Sequence, residues 1–269
     1  MNTTWLLAGL LLTGAVRAGT APLPPDSATV PHRQFSTALN YGSNLTYFGR
    51  TQSKAFPYLA TSLVYTTKDG FYVSADFYHL LNNDRTLDET DLAVGWDHNF
   101  SETLDGSVSY SHFFFPTGSE LVKSSVNNAL DAALGQDWGP VYSRLTATYL
   151  YGKAASKGDI FLNLENSHNF KFLHIFSHKD ALSIAPLVSL AAGTQSFVES
   201  VLTRRRGTKV TTSNRFSMVD YEFAVPLTYS LGKVAASAGW RYIIPVNLPA
   251  EDVESRALSV WTLGLTFTL

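Results

Sequence analysis

The stretch that decides the fold is SVWTLGLTFTL, residues 259–269. Trp261, Leu263, Leu265, Phe267 and Leu269 are large and apolar, while Thr262, Gly264, Thr266 and Thr268 between them are small or weakly polar. Period two places all the bulk on one face of an extended strand; at helical spacing the same side chains would scatter around the axis. Such a strand needs something apolar to face, and the rest of the sequence says what that is.

The pattern recurs upstream. In FYVSADFYHL (71–80), DLAVGWDHNF (91–100), RLTATYLYG (144–152), YEFAVPLTYSL (221–231) and KVAASAGWRYIIP (233–245), bulky residues again alternate with small or polar ones. No stretch shows helical periodicity. About twelve strands are expected, near 34–48, 55–67, 70–80, 89–100, 104–115, 121–136, 140–152, 158–175, 181–197, 215–231, 233–246 and 256–269. The connections alternate in length. GRTQSKA, LNNDRTLDE, PTGSE, GKAASKGD, ESVLTRRRGTKVTTSN and NLPAEDVES are long and polar; TKDG, SETL, QDWG, SHKD and LGK are short. Strands of a soluble sandwich run about five or six residues, and many of these run ten or more, enough to cross a bilayer at a tilt. Without water in the hydrocarbon every backbone group must pair, which a closed sheet achieves. The expected fold is therefore all-β: a closed, antiparallel, up-and-down transmembrane β-barrel of about twelve strands, apolar face to lipid and polar face inward.

Composition agrees. Charged residues are 16% of the 269 and the net charge is −2, against about 25% charged in soluble domains, and there is no basic footprint for a nucleic-acid partner. The sequence has no cysteine, which excludes a disulfide framework, a zinc-thiolate site or a thiol nucleophile. Residues 1–18 read as a signal peptide, with an apolar core from Trp5 to Leu12 and a small-x-small cleavage site at Val16-Arg17-Ala18. Residues 19–33 are a Pro-rich periplasmic segment, and 34–269 are the barrel.

On these residues the chain resembles the outer-membrane β-barrel proteins of Gram-negative bacteria. In that family the last strand alternates apolar residues and typically ends on Phe. Trp261, Leu263, Leu265 and Phe267 match, and Leu269 stands where the terminal Phe would be. The resemblance implies an assembly signal at those five residues, recognition by the barrel-assembly machinery, outer-membrane lipid as surroundings and a location in the cell outer membrane. TDLAVGWDHNFSETLDGSVSYSHFFFP (90–116) also resembles a hairpin of small porin-like barrels. No substrate is implied beyond a small-molecule solute.

The inward face, by this register, bears Asp76, Asp91, Asp97, Arg144, Glu165, Glu222 and Arg241. Two readings stay open: these side chains line an aqueous channel and tune which solutes pass, or they pair across the interior and hold the barrel together. The basic stretch with Arg204, Arg205, Arg206 and Lys209 is expected to be an extracellular loop, with lipid phosphates or anionic solutes as its targets or as a merely solvated charge run. Aromatics near strand ends are expected to form interfacial girdles: Tyr41, Tyr47, Phe48, Tyr65, Phe71, Tyr110, Phe113 to Phe115, Tyr149, Tyr151, Trp240, Tyr242 and Trp261.

Two functions stand beside a porin-like conduit or structural barrel: an outer-membrane lipid hydrolase and a secreted soluble β-protein. For the hydrolase, His112 lies beside Ser109 and Ser111, His168 beside Ser167 and Glu165, and His178 beside Ser177 and Asp180. Strand neighbours point to opposite faces, so Ser111-His112 and Ser167-His168 do not meet. No catalytic residue, metal ligand or cofactor is assigned.

Overall fold

In a computed structural model the described residues are 33–46, 55–82, 84–116, 127–152, 158–203, 207–247 and 257–269, with side chains of 195–214 excepted. Residues 1–18, expected to be a signal peptide, most of the expected Pro-rich segment 19–33, Tyr47, Phe48 and Arg204 to Arg206 lie outside them. Fourteen strand segments are present: β1 (Gln34–Gly42), β2 (Tyr58–Thr66), β3 (Phe71–Leu80), β4 (Glu89–Asn99), β5 (Leu104–Phe114), β6 (Asn128–Asp137), β7 (Tyr142–Tyr151), β8 (Asp159–Ser167), β9 (Phe170–Leu173), β10 (Asp180–Ile184), β11 (Leu187–Thr203), β12 (Gly207–Leu231), β13 (Val234–Pro245) and β14 (Leu258–Thr268). Each of β1 to β8 pairs with the next, then β8 with β11, β11 with β12, and so on to β14, which returns to β1. All pairings are antiparallel. The result is one closed sheet of twelve staves.

The seam is complete. Seven residue pairs from Ser36↔Thr268 to Gly42↔Thr262 join β1 to β14, and the Leu269 amide donates to the Phe35 carbonyl at 2.8 Å. A sheet with no edge leaves no ladder group unpaired, which a hydrocarbon surrounding demands. Strands β1 to β8, β13 and β14 run from 9 residues in β1 to 12 in β13, the length that crosses a bilayer at a tilt, while β11 and β12 are longer, at 17 and 25.

The faces are inverted relative to a soluble protein. Trp261, Leu263 and Leu265 are 59%, 56% and 53% exposed, and Leu39, Leu63, Val73, Val94, Val108, Leu134, Leu145, Leu164, Val188, Phe223 and Val234 carry the exposed apolar belt round the other strands. No outward position of β1 to β8, β13 or β14 holds Asp, Glu, Lys or Arg. A belt on every stave far exceeds the few hundred Å² of apolar patch that soluble monomers show, and no pair of sheets hides it. The secreted soluble alternative fails on this point.

Four sequence expectations change. The staves expected at 158–175 and 181–197 are each broken, at His168-Asn169 and at Ala185-Pro186, where proline has no amide to donate. Beyond the breaks, β9 and β10 form a small hairpin carried on β12. The segment 199–214 is not a loop: β11 and β12 stay paired out to Thr203↔Gly207, past the last β8 partner at Gly193, and Lys209 sits in β12 opposite Val201. The first stave ends at Gly42, short of the expected 48. Phe113 leaves the girdle: it points inward and is buried, while Phe114 faces out.

The short turns are built by local chemistry. Gly70, Gly139 and Gly232 take positive φ, a conformation glycine adopts without cost. In the SETL turn the Ser101 hydroxyl accepts the amides of Thr103 and Leu104 at 3.2 and 3.0 Å. Aromatics gather toward both ends of the exterior. The rings of Phe71, Trp96, His98 and Phe100 contact one another in sequence near the short turns, and Trp240 contacts Tyr242 and Trp261 near the opposite end.

Candidate functional site: the barrel interior

Strand alternation carries each of the seven predicted lining residues to the inward face. They do not form one constellation. Glu222 and Arg241 come from adjacent strands, β12 and β13, and meet directly: Arg241 Nε donates to Glu222 Oε1 at 2.8 Å and its terminal nitrogen to Oε2 at 2.5 Å. Both side chains are nearly buried, so this is a fork-on-fork pair with little screening.

Arg144 pairs elsewhere, through a device not visible in the sequence. Asp105 on β5, Gly135 on β6 and Arg144 on β7 are in one register row. Glycine at the centre leaves a gap in the wall. Through it Arg144 reaches Asp105 Oδ1 at 2.9 Å and Ser107 Oγ at 2.8 Å, while the Tyr142 hydroxyl donates to Asp105 Oδ2 at 2.9 Å. A Cβ on Gly135 would overlap the Tyr142 hydroxyl and lie 2.6 Å from Asp105 Oδ2. The same arrangement recurs where Tyr58 covers Gly42, Tyr72 covers Gly95 and Phe161 covers Gly193. In each case an inward ring lies over an inward glycine of the next strand, which keeps it along the wall.

The third group is acidic. Asp76 on β3 and Asp91 on β4 are direct cross-strand partners, 3% and 1% exposed. Ser62 donates its hydroxyl to Asp76, and Glu89, one inward position along from Asp91, lies within hydrogen-bonding reach of it. Asp97 and Asp131 follow on the same wall, half-buried, with Thr148 donating to Asp131 at 2.5 Å. Glu165 is inward and half-buried on β8, opposite Arg144 in register; Arg144 makes an ion pair with Asp105, at 2.9 Å.

Toward the long-loop end the interior turns apolar. Phe56, Tyr58, Ala60, Tyr78 and Leu80 form one buried cluster; Phe113, Ala129, Leu150, Phe161, Ala191 and Val219 form another. Val219 is the extra residue of a bulge opposite Ala191/Ala192, which sends two successive side chains of β12 inward.

The three histidines considered for a hydrolase contact other groups. His112 faces out and contacts Asn128, Ser109 and Ser111 face in, His168 meets the Pro140 carbonyl, and His178 rests near His174 in the β9–β10 turn. Asp180, its other sequence neighbour, accepts the amides of Ile175, Phe176 and Ser177 at 2.8–3.0 Å and so closes that turn. Among the described residues no group of three or more His, Asp or Glu side chains has metal-ligand geometry.

No protein-family model and no curated protein matches the sequence. Solved structures do. The KdgM porin is 11% identical, with 86% of this chain and 98% of that chain covered, at a TM-score of 0.49. An outer membrane channel from Pseudomonas putida F1 is 11% identical, with 92% and 99% covered, at 0.48. The NanC porin is 10% identical, with 88% and 100% covered, at 0.45. The fold class stands on the strand register itself: a closed twelve-stranded antiparallel barrel of the outer-membrane type.

Proposed function

We propose that the chain is an integral outer-membrane barrel and acts as a porin-like conduit for small solutes. The observation that supports this best is the segregation of charge. Every Asp, Glu and Arg on the staves β3 to β8 and β13 is inward, and the outward positions are apolar or uncharged. Lipid solvates the outside; the ionised groups need water or one another inside. Two measurements test the reading. After cell fractionation the protein is expected in the outer-membrane pellet, resistant to carbonate extraction; release into the soluble fraction rejects it. Purified protein in planar bilayers is expected to give discrete conductance steps.

The rival is a structural barrel without a pathway. Its support is the low exposure of the inward carboxylates and the two apolar clusters toward the long-loop end. Silent bilayers at high protein load select it. Lipid hydrolysis has no supporting triad among the described residues.

A further inference from the structure

We infer that the conduit passes cations in preference to anions, and that the wall formed by β3, β4, β5 and β6 sets the preference. The inference rests on the conduit reading above and adds to it the class of solute.

The wall's inward face holds Asp76, Glu89, Asp91, Asp97, Asp105, Asp131 and Asp137 and no Lys or Arg. The inward guanidiniums of the closed part of the barrel, among the described residues, are Arg144 and Arg241, and each is held by a carboxylate, Asp105 or Glu222. They offset two negative charges and leave the wall strongly acidic. Lipid behind the wall has a low dielectric constant, which turns the field of these groups into the lumen instead of letting it spread.

The placement of Asp76 and Asp91 argues further. Like charges directly opposite on neighbouring strands are destabilising, yet these two are in register and nearly buried, with Glu89 beside them. One oxygen of Glu89, Oε2, is buried and makes no hydrogen bond. The inward face of β3 to β6 carries no Lys or Arg to offset this row. Among the described residues these groups are not arranged as ligands of one metal ion.

The test is the reversal potential of the purified full chain in planar bilayers under a potassium chloride gradient. Permeability to potassium over chloride is expected to be roughly tenfold, the low end of what a charged cleft does to counter-ion concentration, and to fall as salt rises. Asp97→Asn and Asp131→Asn, chosen because both side chains are half-buried, are expected to lower the ratio. Asp131→Arg is expected to lower it further. Retained β-sheet circular dichroism and heat-modifiable electrophoretic migration show that the variants fold. A conducting wild type with no preference, or with preference for chloride, overturns the inference and leaves the conduit standing. So does a ratio untouched by all three variants. A silent bilayer removes the conduit and the inference together.

Discussion

The wall of β3 to β6 and the wall of β14, β1 and β2 share one exterior and differ completely inside. Outside, Val73, Val94 and Val108 on the first and Leu39, Leu63 and Leu265 on the second are all exposed and apolar. Inside, the first carries seven carboxylates, and the second carries Ser36, Ala38, Asn40, Ser62, Thr262 and Gly264, without a charge. The outer face answers to a single solvent, so every strand solves the same problem in the same way. The inner face answers to its neighbours across the lumen, so it is free to differ from stave to stave. Fold is written on one side of the sheet, and selectivity on the other.

That contrast can be broken in graded steps. The largest effect is expected between the walls, at the Arg241 pair. Glu222→Ala leaves a buried guanidinium without its fork partner and is expected to cost about 3–5 kcal/mol in denaturant unfolding from lipid vesicles; a loss below 1 kcal/mol would mean that water reaches Arg241 freely. Next come Leu265→Arg and Val94→Arg, one on each wall. Both put a cation on the outer face and are each expected to cost about 2–4 kcal/mol in the same assay. Unequal costs would show that the two exteriors do not face one medium. Gly135→Ala is expected to push the Tyr142 ring off the wall and loosen Arg144 from Asp105, at about 1–3 kcal/mol. A stable Gly135→Ala with unchanged conductance would deny the glycine gap any role. The smallest effect is expected at Ser101→Ala, where an exposed turn loses two hydrogen bonds, about 0.5–1.5 kcal/mol, with no change in conduction.

Much of this was legible in the sequence, because the strongest signal came from the side facing lipid. Period two in residues 259–269 and the alternation of long and short connections carried the closed barrel and most strand ends. The interior was legible only as charges on the right parity. Leu150, on the parity of Arg144, Thr146 and Thr148, is inward and buried; parity alone does not tell an apolar lining from a polar one. The glycine gap needed register: Asp105, Gly135 and Arg144 are 39 residues apart end to end, and nothing in the sequence aligns them until β5, β6 and β7 are paired. Three consecutive phenylalanines at 113–115 cannot all face lipid on a strand, and a strict count of two would have placed Phe113 inside. The paired ribbon at 199–214 was hidden because Thr, Ser, Lys and Asn fill both parities there, and without contrast between faces a strand reads as a loop.

The junction of β1 with β14 has a kinetic meaning. Its side-chain contact between Ser36 and Thr268 closes a loop of 232 residues, among the longest closures this chain can make. Entropy delays such contacts, and topologies dominated by them assemble slowly. Until β14 arrives, the growing sheet has two raw borders, each a template for a neighbour's strand. An escort that shields those borders, or an insertion device that supplies a temporary strand of its own, would therefore speed maturation more than any change within the finished wall.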